Sequence, residues 1–124
     1  MKFEVSQRFF FDAAHTLRRE IESGSSARIH GHTYHAKVTV AGDPDANGMV
    51  VDLGFLRRDL ETVRAALDHQ LLDAVQGLGA PTLENLCSYI ASRILPAFPS
   101  LSSVHVWRES VGDACLLTLP PPAQ

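Results

Sequence analysis

Arg28-Ile29-His30-Gly31-His32-Thr33-Tyr34-His35, running on into Ala36-Lys37-Val38-Thr39-Val40, is the stretch on which the fold turns. Its second half alternates as a β-strand does. Successive side chains of a strand point to opposite faces, so His30 and His32 share a face, roughly 6.5–7 Å apart along the chain. Two imidazoles so placed can close on one metal ion. Gly31 between them has no side chain, which lets the backbone bend or bulge there and leaves room for a ligand. The pair still wants a third ligand. His15, closing the run Phe9-Phe10-Phe11-Asp12-Ala13-Ala14-His15, is the natural candidate, because three neutral imidazoles and one open position make a catalytic zinc site. His35 and His105 have no such company and read as packed or solvent-facing.

Outward from this stretch, Phe3, Val5, Phe9, Phe11, Ala13 and His15 fall on odd positions, while Lys2, Glu4, Ser6, Arg8 and Asp12 fall on even ones. A first strand with an apolar face follows, and His15 ends it on that face unless a bulge shifts the parity. The segment from Thr16 to Ala27 is polar and reads as a long loop, of the kind that is often functional in a small domain. On the other side, the second strand runs to about Val40, and Asn47-Gly48 marks a turn. The first two strands are expected to pair antiparallel.

Asp52 is a good N-cap, and Leu53, Leu56, Leu60, Val63 and Leu67 follow at helical spacings, with Arg57, Arg58, Asp59 and Arg64 as the solvated face. At Asp68-His69 an acid and an imidazole stand side by side. If the helix continues they diverge, and if it breaks they are free to meet. Thr82 caps a second helix whose face is Leu83, Leu86, Cys87, Ile90, Ala91 and Ile94, with Glu84 in the positive first turn. Cys87 therefore reads as core, and so does Cys115. Pro96 and Pro99 stop the helix. Strands at Ser103–Ser110 and Ala114–Leu119 close the chain around a turn at Val111-Gly112-Asp113.

The order strand, strand, helix, helix, strand, strand argues for an α+β domain spanning residues 1–124, an antiparallel sheet with two helices on one face. Phe10 and the run Cys115-Leu116-Leu117 leave apolar side chains on the other face too, which calls for a partner subunit. Composition sets bounds. A chain of 124 residues, 45% hydrophobic, holds one real core, and a formal charge of −3 gives no basic footprint for nucleic acid or anionic lipid. No apolar run approaches the roughly 18 residues of a membrane span, and Met1-Lys2-Phe3-Glu4 begins no signal peptide, so a cytoplasmic protein is expected. Cys87 and Cys115 form no Cys-x-x-Cys pair, and any metal must rely on histidine.

Phe11-Asp12-Ala13-Ala14-His15, His30-Gly31-His32, Leu67-Asp68-His69, Pro81-Thr82-Leu83-Glu84-Asn85 and Arg108-Glu109-Ser110, in this order, are similar to the 6-pyruvoyl-tetrahydropterin synthase and 6-carboxy-tetrahydropterin synthase family across essentially the whole chain. The resemblance implies a tunnelling fold, in which sheets join into a barrel and two trimers stack as a homohexamer. It implies that His15, His30 and His32 hold zinc and that Asp68 and His69 form a proton-relay pair. It implies that Glu109 anchors the pterin ring, where a carboxylate can accept two parallel N–H bonds. Without the family, Glu109 would read as a surface glutamate. Thr82 and Glu84 match positions lining the pterin pocket, although capping alone also explains Thr82. The implied reaction converts 7,8-dihydroneopterin triphosphate to 6-carboxy-5,6,7,8-tetrahydropterin, a precursor of deazapurines such as queuosine, with loss of triphosphate and acetaldehyde.

One position departs from the pattern. The family's catalytic cysteine lies four residues before the His-x-His pair, and here that residue is Ser26. A thiol is partly ionised near neutrality, whereas a hydroxyl needs a strong adjacent base. His69, Glu20 or Glu22 could serve instead, and Arg18, Arg19 or Arg28 could meet a triphosphate. Three functions therefore stand open: the synthase with a substituted base, a zinc-dependent aldolase-like lyase cleaving the pterin side chain, and a non-catalytic zinc- and pterin-binding homologue.

Overall fold

The computed structural model describes residues 2–17, 20, 21, 24 and 27–122. Strand β1 (Phe3–His15) pairs antiparallel with β2 (His30–Gly42), and the helices α1 (Leu53–Leu67) and α2 (Leu83–Ile94) follow. Strands β3 (Leu101–Arg108) and β4 (Asp113–Thr118) complete a four-stranded antiparallel sheet in the order β1-β2-β3-β4. A 3-10 turn, Leu72–Ala74, lies between the helices. This is the α+β arrangement expected from the sequence.

The alternation in β1 and β2 resolves as predicted. Phe11, Ala13, Tyr34, Ala36, Val38 and Val40 are buried, and they pack with Leu56, Leu60, Val63 and Leu67 of α1 and Leu86, Ile90 and Ile94 of α2 in one core. Each of the Val, Leu, Ile and Phe side chains among them contributes roughly 1.5–3 kcal/mol by leaving water. Both helices therefore cover the same face of the sheet. On the opposite face Phe10 and Leu116 remain 52% and 60% exposed, the apolar pair that led us to expect a partner subunit.

Both helix starts are capped as read. The Asp52 carboxylate accepts from the Gly54 N–H at 2.8 Å, and the Thr82 hydroxyl oxygen accepts from the Asn85 N–H at 3.1 Å. The closing hairpin sits earlier than predicted. β3 ends at Arg108, and the turn occupies Glu109 to Gly112, where Gly112 takes the positive φ of 76° that glycine tolerates. The backbone does not bend at Gly31 either. Ala14 and Gly31 stay in register, and a Cβ built there would meet only the Ala13 carbonyl, at an ordinary 3.7 Å.

Strand β1 is an edge, and its free polar groups would invite stray pairing. The segment after α1 covers those at its C-terminal end. The Asp12 N–H donates to the Asp68 carboxylate and the Asp12 carbonyl accepts from the His69 N–H. The Ala14 N–H donates to the Gln70 carbonyl, and the Thr16 N–H to the Asp73 carboxylate. These bonds carry Asp68 and His69 to the strand that ends in His15.

Among the described residues, no helix is long and apolar enough to cross a membrane.

Candidate metal centre and adjoining clefts

The register of β1 and β2 assembles the histidines. His15 stands directly opposite His30, and His32, opposite Ala13, is its diagonal neighbour on the same face. The ring centroids of the three pairs are 4.5, 5.0 and 4.9 Å apart, and one ligating nitrogen from each ring lies within 4.8 Å of the others. His15 is buried, while His30 and His32 are half-buried. The ring of His15 donates from Nδ1 to the Pro81 carbonyl at 3.2 Å, and that of His30 donates from Nδ1 to the Arg28 carbonyl at 2.7 Å. Each Nε2 is thereby left as a lone pair, and the two Nε2 atoms face each other at 2.9 Å. Two lone pairs so close repel unless a cation stands with them.

Burial holds His15 below the ordinary histidine value, against the opposing hydrogen bond to Pro81, and the neighbouring His30 lowers it further. The neutral ring is the form that binds metal. Backbone carbonyls on the far nitrogens are the usual orienting partners of metal-bound histidines. A set of three imidazoles with an open side fits a borderline-soft divalent ion.

Helix α1 ends at Leu67, which settles the geometry of the acid and imidazole that follow. Asp68 is extended, and His69 takes a left-handed φ of 59°. That conformation costs on the order of 1–3 kcal/mol for a non-glycine residue. It brings His69 Nδ1 to 2.9 Å from Asp68 Oδ2, a contact that a continuing helix would forbid. The Asp12 N–H, then the His69 ring, hold the Asp68 carboxyl below its usual value, and Arg64 adds to this at 3.5 Å. The His69 side chain is 79% exposed. His69 and His32 line one cleft of about 520 Å³, together with Asp12, Gly31 and Thr33.

A second cleft of about 580 Å³ lies behind His15, reached through Pro81, and is lined by Tyr34, Thr82, Glu84, Arg108 and Asp113. Thr82 both caps α2 and lines this cleft. Glu84 is exposed in the first turn of α2. Two residues here were quoted in the motifs above without a role of their own. Arg108 is 5% exposed, with its guanidinium 2.7 Å from the Asp113 carboxylate, and the Tyr34 hydroxyl lies 3.5 Å from His15 Nδ1. Burial pushes the Tyr34 hydroxyl up to about 12. The signal was parity: Tyr34 shares a face with Ala36 and Val38, and Arg108 with Val104 and Val106.

Glu109 falls in the exposed turn after β3 and lines neither of these clefts. Ser26, Arg18, Arg19 and Glu22 lie outside the described residues. Glu20 and Arg28 are exposed. Cys87 is core, as expected, with its thiol directed at the carbonyls of Val104 and Cys115, and burial pushes it up to about 12. A thiol so held is not a ready nucleophile.

The profile of the 6-pyruvoyl tetrahydropterin synthase family matches residues 4–118. The chain belongs to this family. A 6-carboxy-5,6,7,8-tetrahydropterin synthase of Synechocystis is 35% identical over 82% of this chain and 83% of its own length. A dihydroneopterin monophosphate aldolase of Pyrococcus furiosus is 33% identical over 86% of this chain and 90% of its own. Among solved structures, the 6-pyruvoyl tetrahydropterin synthase of Caenorhabditis elegans superposes with a TM-score of 0.81, covering 97% of each chain at 23% identity, which shows the shared fold. The family relationship supports processing of a pterin side chain, and the three histidines are a possible metal site within it.

Proposed function

We propose that the protein is a zinc-dependent lyase of the dihydropterin side chain, converting 7,8-dihydroneopterin triphosphate to 6-carboxy-5,6,7,8-tetrahydropterin. The observation that carries this reading is the convergence of His15, His30 and His32 beside a cleft that also holds His69. These three histidines would hold zinc, which supplies Lewis-acid polarisation of the substrate's side-chain hydroxyls. Asp68 orients the imidazole of His69 through Nδ1, leaving Nε2 to take a proton from the side-chain carbon and return it. Thr82 and Glu84, in the second cleft, supply acceptors for the pterin's amino-pyrimidinone edge. Glu109 reaches a pterin only where copies of the chain assemble, since it stands outside both clefts. Closure of the exposed sheet face into a barrel, in a homohexamer, supplies such neighbours.

A second reading has its own support. By the resemblance Ser26 stands where the family has its cysteine, Cys87 is sequestered, and one similar relative is an aldolase of dihydroneopterin monophosphate. A retro-aldol step needs a base at the side-chain hydroxyl and an acid at the ring, and no thiol. Glu20 and Glu22, in the polar segment after β1, stand as further bases. A binding protein without turnover is the third reading. Mass spectrometry after incubation with the triphosphate and monophosphate of dihydroneopterin tests all three. The synthase releases 6-carboxy-tetrahydropterin and acetaldehyde, and the aldolase releases a 6-hydroxymethyl pterin and a phosphorylated glycolaldehyde. No product from either substrate overturns the enzymatic reading.

A further inference from the structure

The sheet face turned away from the helices carries an arrangement that packing does not explain. Arg8 stands directly opposite Lys37, and Lys37 directly opposite His105, so one cross-strand row runs cation, cation, imidazole over three adjacent strands. The parity is firm: Lys37 lies between buried Ala36 and Val38, and His105 between buried Val104 and Val106. Like charges directly opposed on a sheet destabilise it. Among the described residues no carboxylate pairs with Arg8 or Lys37, and the charges that act on His105 are Lys37 and Arg8, both positive. Ser6, Ser103 and Thr118, with the buried Thr39 among them, form the next row on one side, which holds hydroxyls and no acid.

The row on the other side is aromatic. His35 stacks on Trp107 at 5.4 Å, His105 stacks on it at 4.5 Å, and Arg8 stands 6.0 Å from its ring centre. Trp107 thus has neighbours on both sides, so it orients the imidazoles and offers little free surface to a base. Phe10 borders the row next to His35.

We propose that Arg8, Lys37 and His105 form a binding site for a polyphosphate chain, separate from the histidine triad. Neighbouring strands are about 4.8 Å apart, so the row spreads its charges over roughly 10 Å, a line that suits a chain of linked phosphates better than one compact anion. The anion supplies the negative charge the row lacks, and the flanking hydroxyls can donate to its outer oxygens. The proposal stands independently of the reaction assigned above.

The test is calorimetry with inorganic tripolyphosphate on the purified wild-type protein and on Arg8→Gln, Lys37→Gln and His30→Ala. Each glutamine variant should bind at least about 10-fold more weakly, the scale of one hydrogen bond to a charged group, and His30→Ala should bind as wild type does. Adenosine triphosphate should bind within a few-fold of tripolyphosphate, because the site reads phosphate and not the base. The glutamine variants should melt no lower than wild type, since each relieves a like-charge contact. The proposal is overturned by absent binding, by equal binding in the glutamine variants, by loss of binding in His30→Ala alone, or by a lowered melting temperature in both glutamine variants.

Discussion

His15 and His30 occupy directly opposed positions on β1 and β2, with their Nε2 atoms 2.9 Å apart and each Nδ1 bonded to a backbone carbonyl. The arrangement is locked from behind: Pro81 orients one ring, Arg28 the other. Neither ring can turn its Nε2 away without losing a hydrogen bond, worth about 0.5–1.5 kcal/mol. The pair is therefore held ready for a shared cation, and the consequences can be measured.

The Asp68 carboxyl lies below its ordinary value of 3.8, chiefly through the Asp12 N–H and then the His69 ring. A depressed folded-state value means that its stabilisation is complete above the unfolded value and fades as pH falls through the folded one. Asp68→Asn should be less stable than wild type at pH 7, with the gap closing below about pH 4. Urea melts across this range check it. A gap independent of pH would remove the charge from the argument.

Phe11 is fully buried and stacks on Tyr34 with centroids 5.1 Å apart, directly beneath the strand ends that carry the histidines. Phe11→Ala should cost about 3–5 kcal/mol in denaturant unfolding. A loss under about 1 kcal/mol would mean that this part of the core collapses without harm.

Glu84 lines the second cleft and Glu109 the turn after β3, so the two proposed pterin acceptors can be separated. Glu109→Gln and Glu84→Gln should each weaken binding of a simple pterin by roughly 1.5–3 kcal/mol while zinc content stays unchanged. Calorimetry distinguishes them. Unchanged affinity in the Glu109 variant would return that residue to the surface.

The family resemblance implies that Ser26 stands where relatives carry a catalytic cysteine. If only the thiol is missing from the synthase, Ser26→Cys should raise turnover of dihydroneopterin triphosphate by about 10²-fold or more, the scale of a positioned base. If the loop has been rebuilt around Glu20 or Glu22, the change does little and removing that glutamate abolishes activity. A fast wild type indifferent to Ser26→Ala would show that this position does not limit the chemistry.

The sheet, its apolar face and both helix caps were legible because they rest on local periodicity: alternation through Phe3 to His15, Asp52 and Thr82 ahead of apolar runs. His15, His30 and His32 were legible as candidates because alternation sets their faces, while the register that opposes His15 to His30 comes from the structure. The contact between Asp68 and His69 was not, since it depends on the Asp12 carbonyl accepting from the His69 N–H, a bond between residues far apart in sequence. Arg108 could have been read from its place on the inner face of β3, but a charge there looks like a strand end until Asp113 is seen beside it. The freedom that Gly31 gives the backbone is not used for a bulge, since Ala14 and Gly31 stay in register. The two clefts follow from how the segments after α1 and before α2 cross β1, which no periodicity encodes.

Metal analysis of the purified protein and of His30→Ala and His32→Ala tests the central claim most directly. The account predicts about one zinc per subunit in the wild type and its loss in both variants, with the fold intact by circular dichroism, since two imidazoles are too few to retain the ion. Full zinc retention by both variants, or a wild type that takes up no zinc when it is supplied, would contradict it.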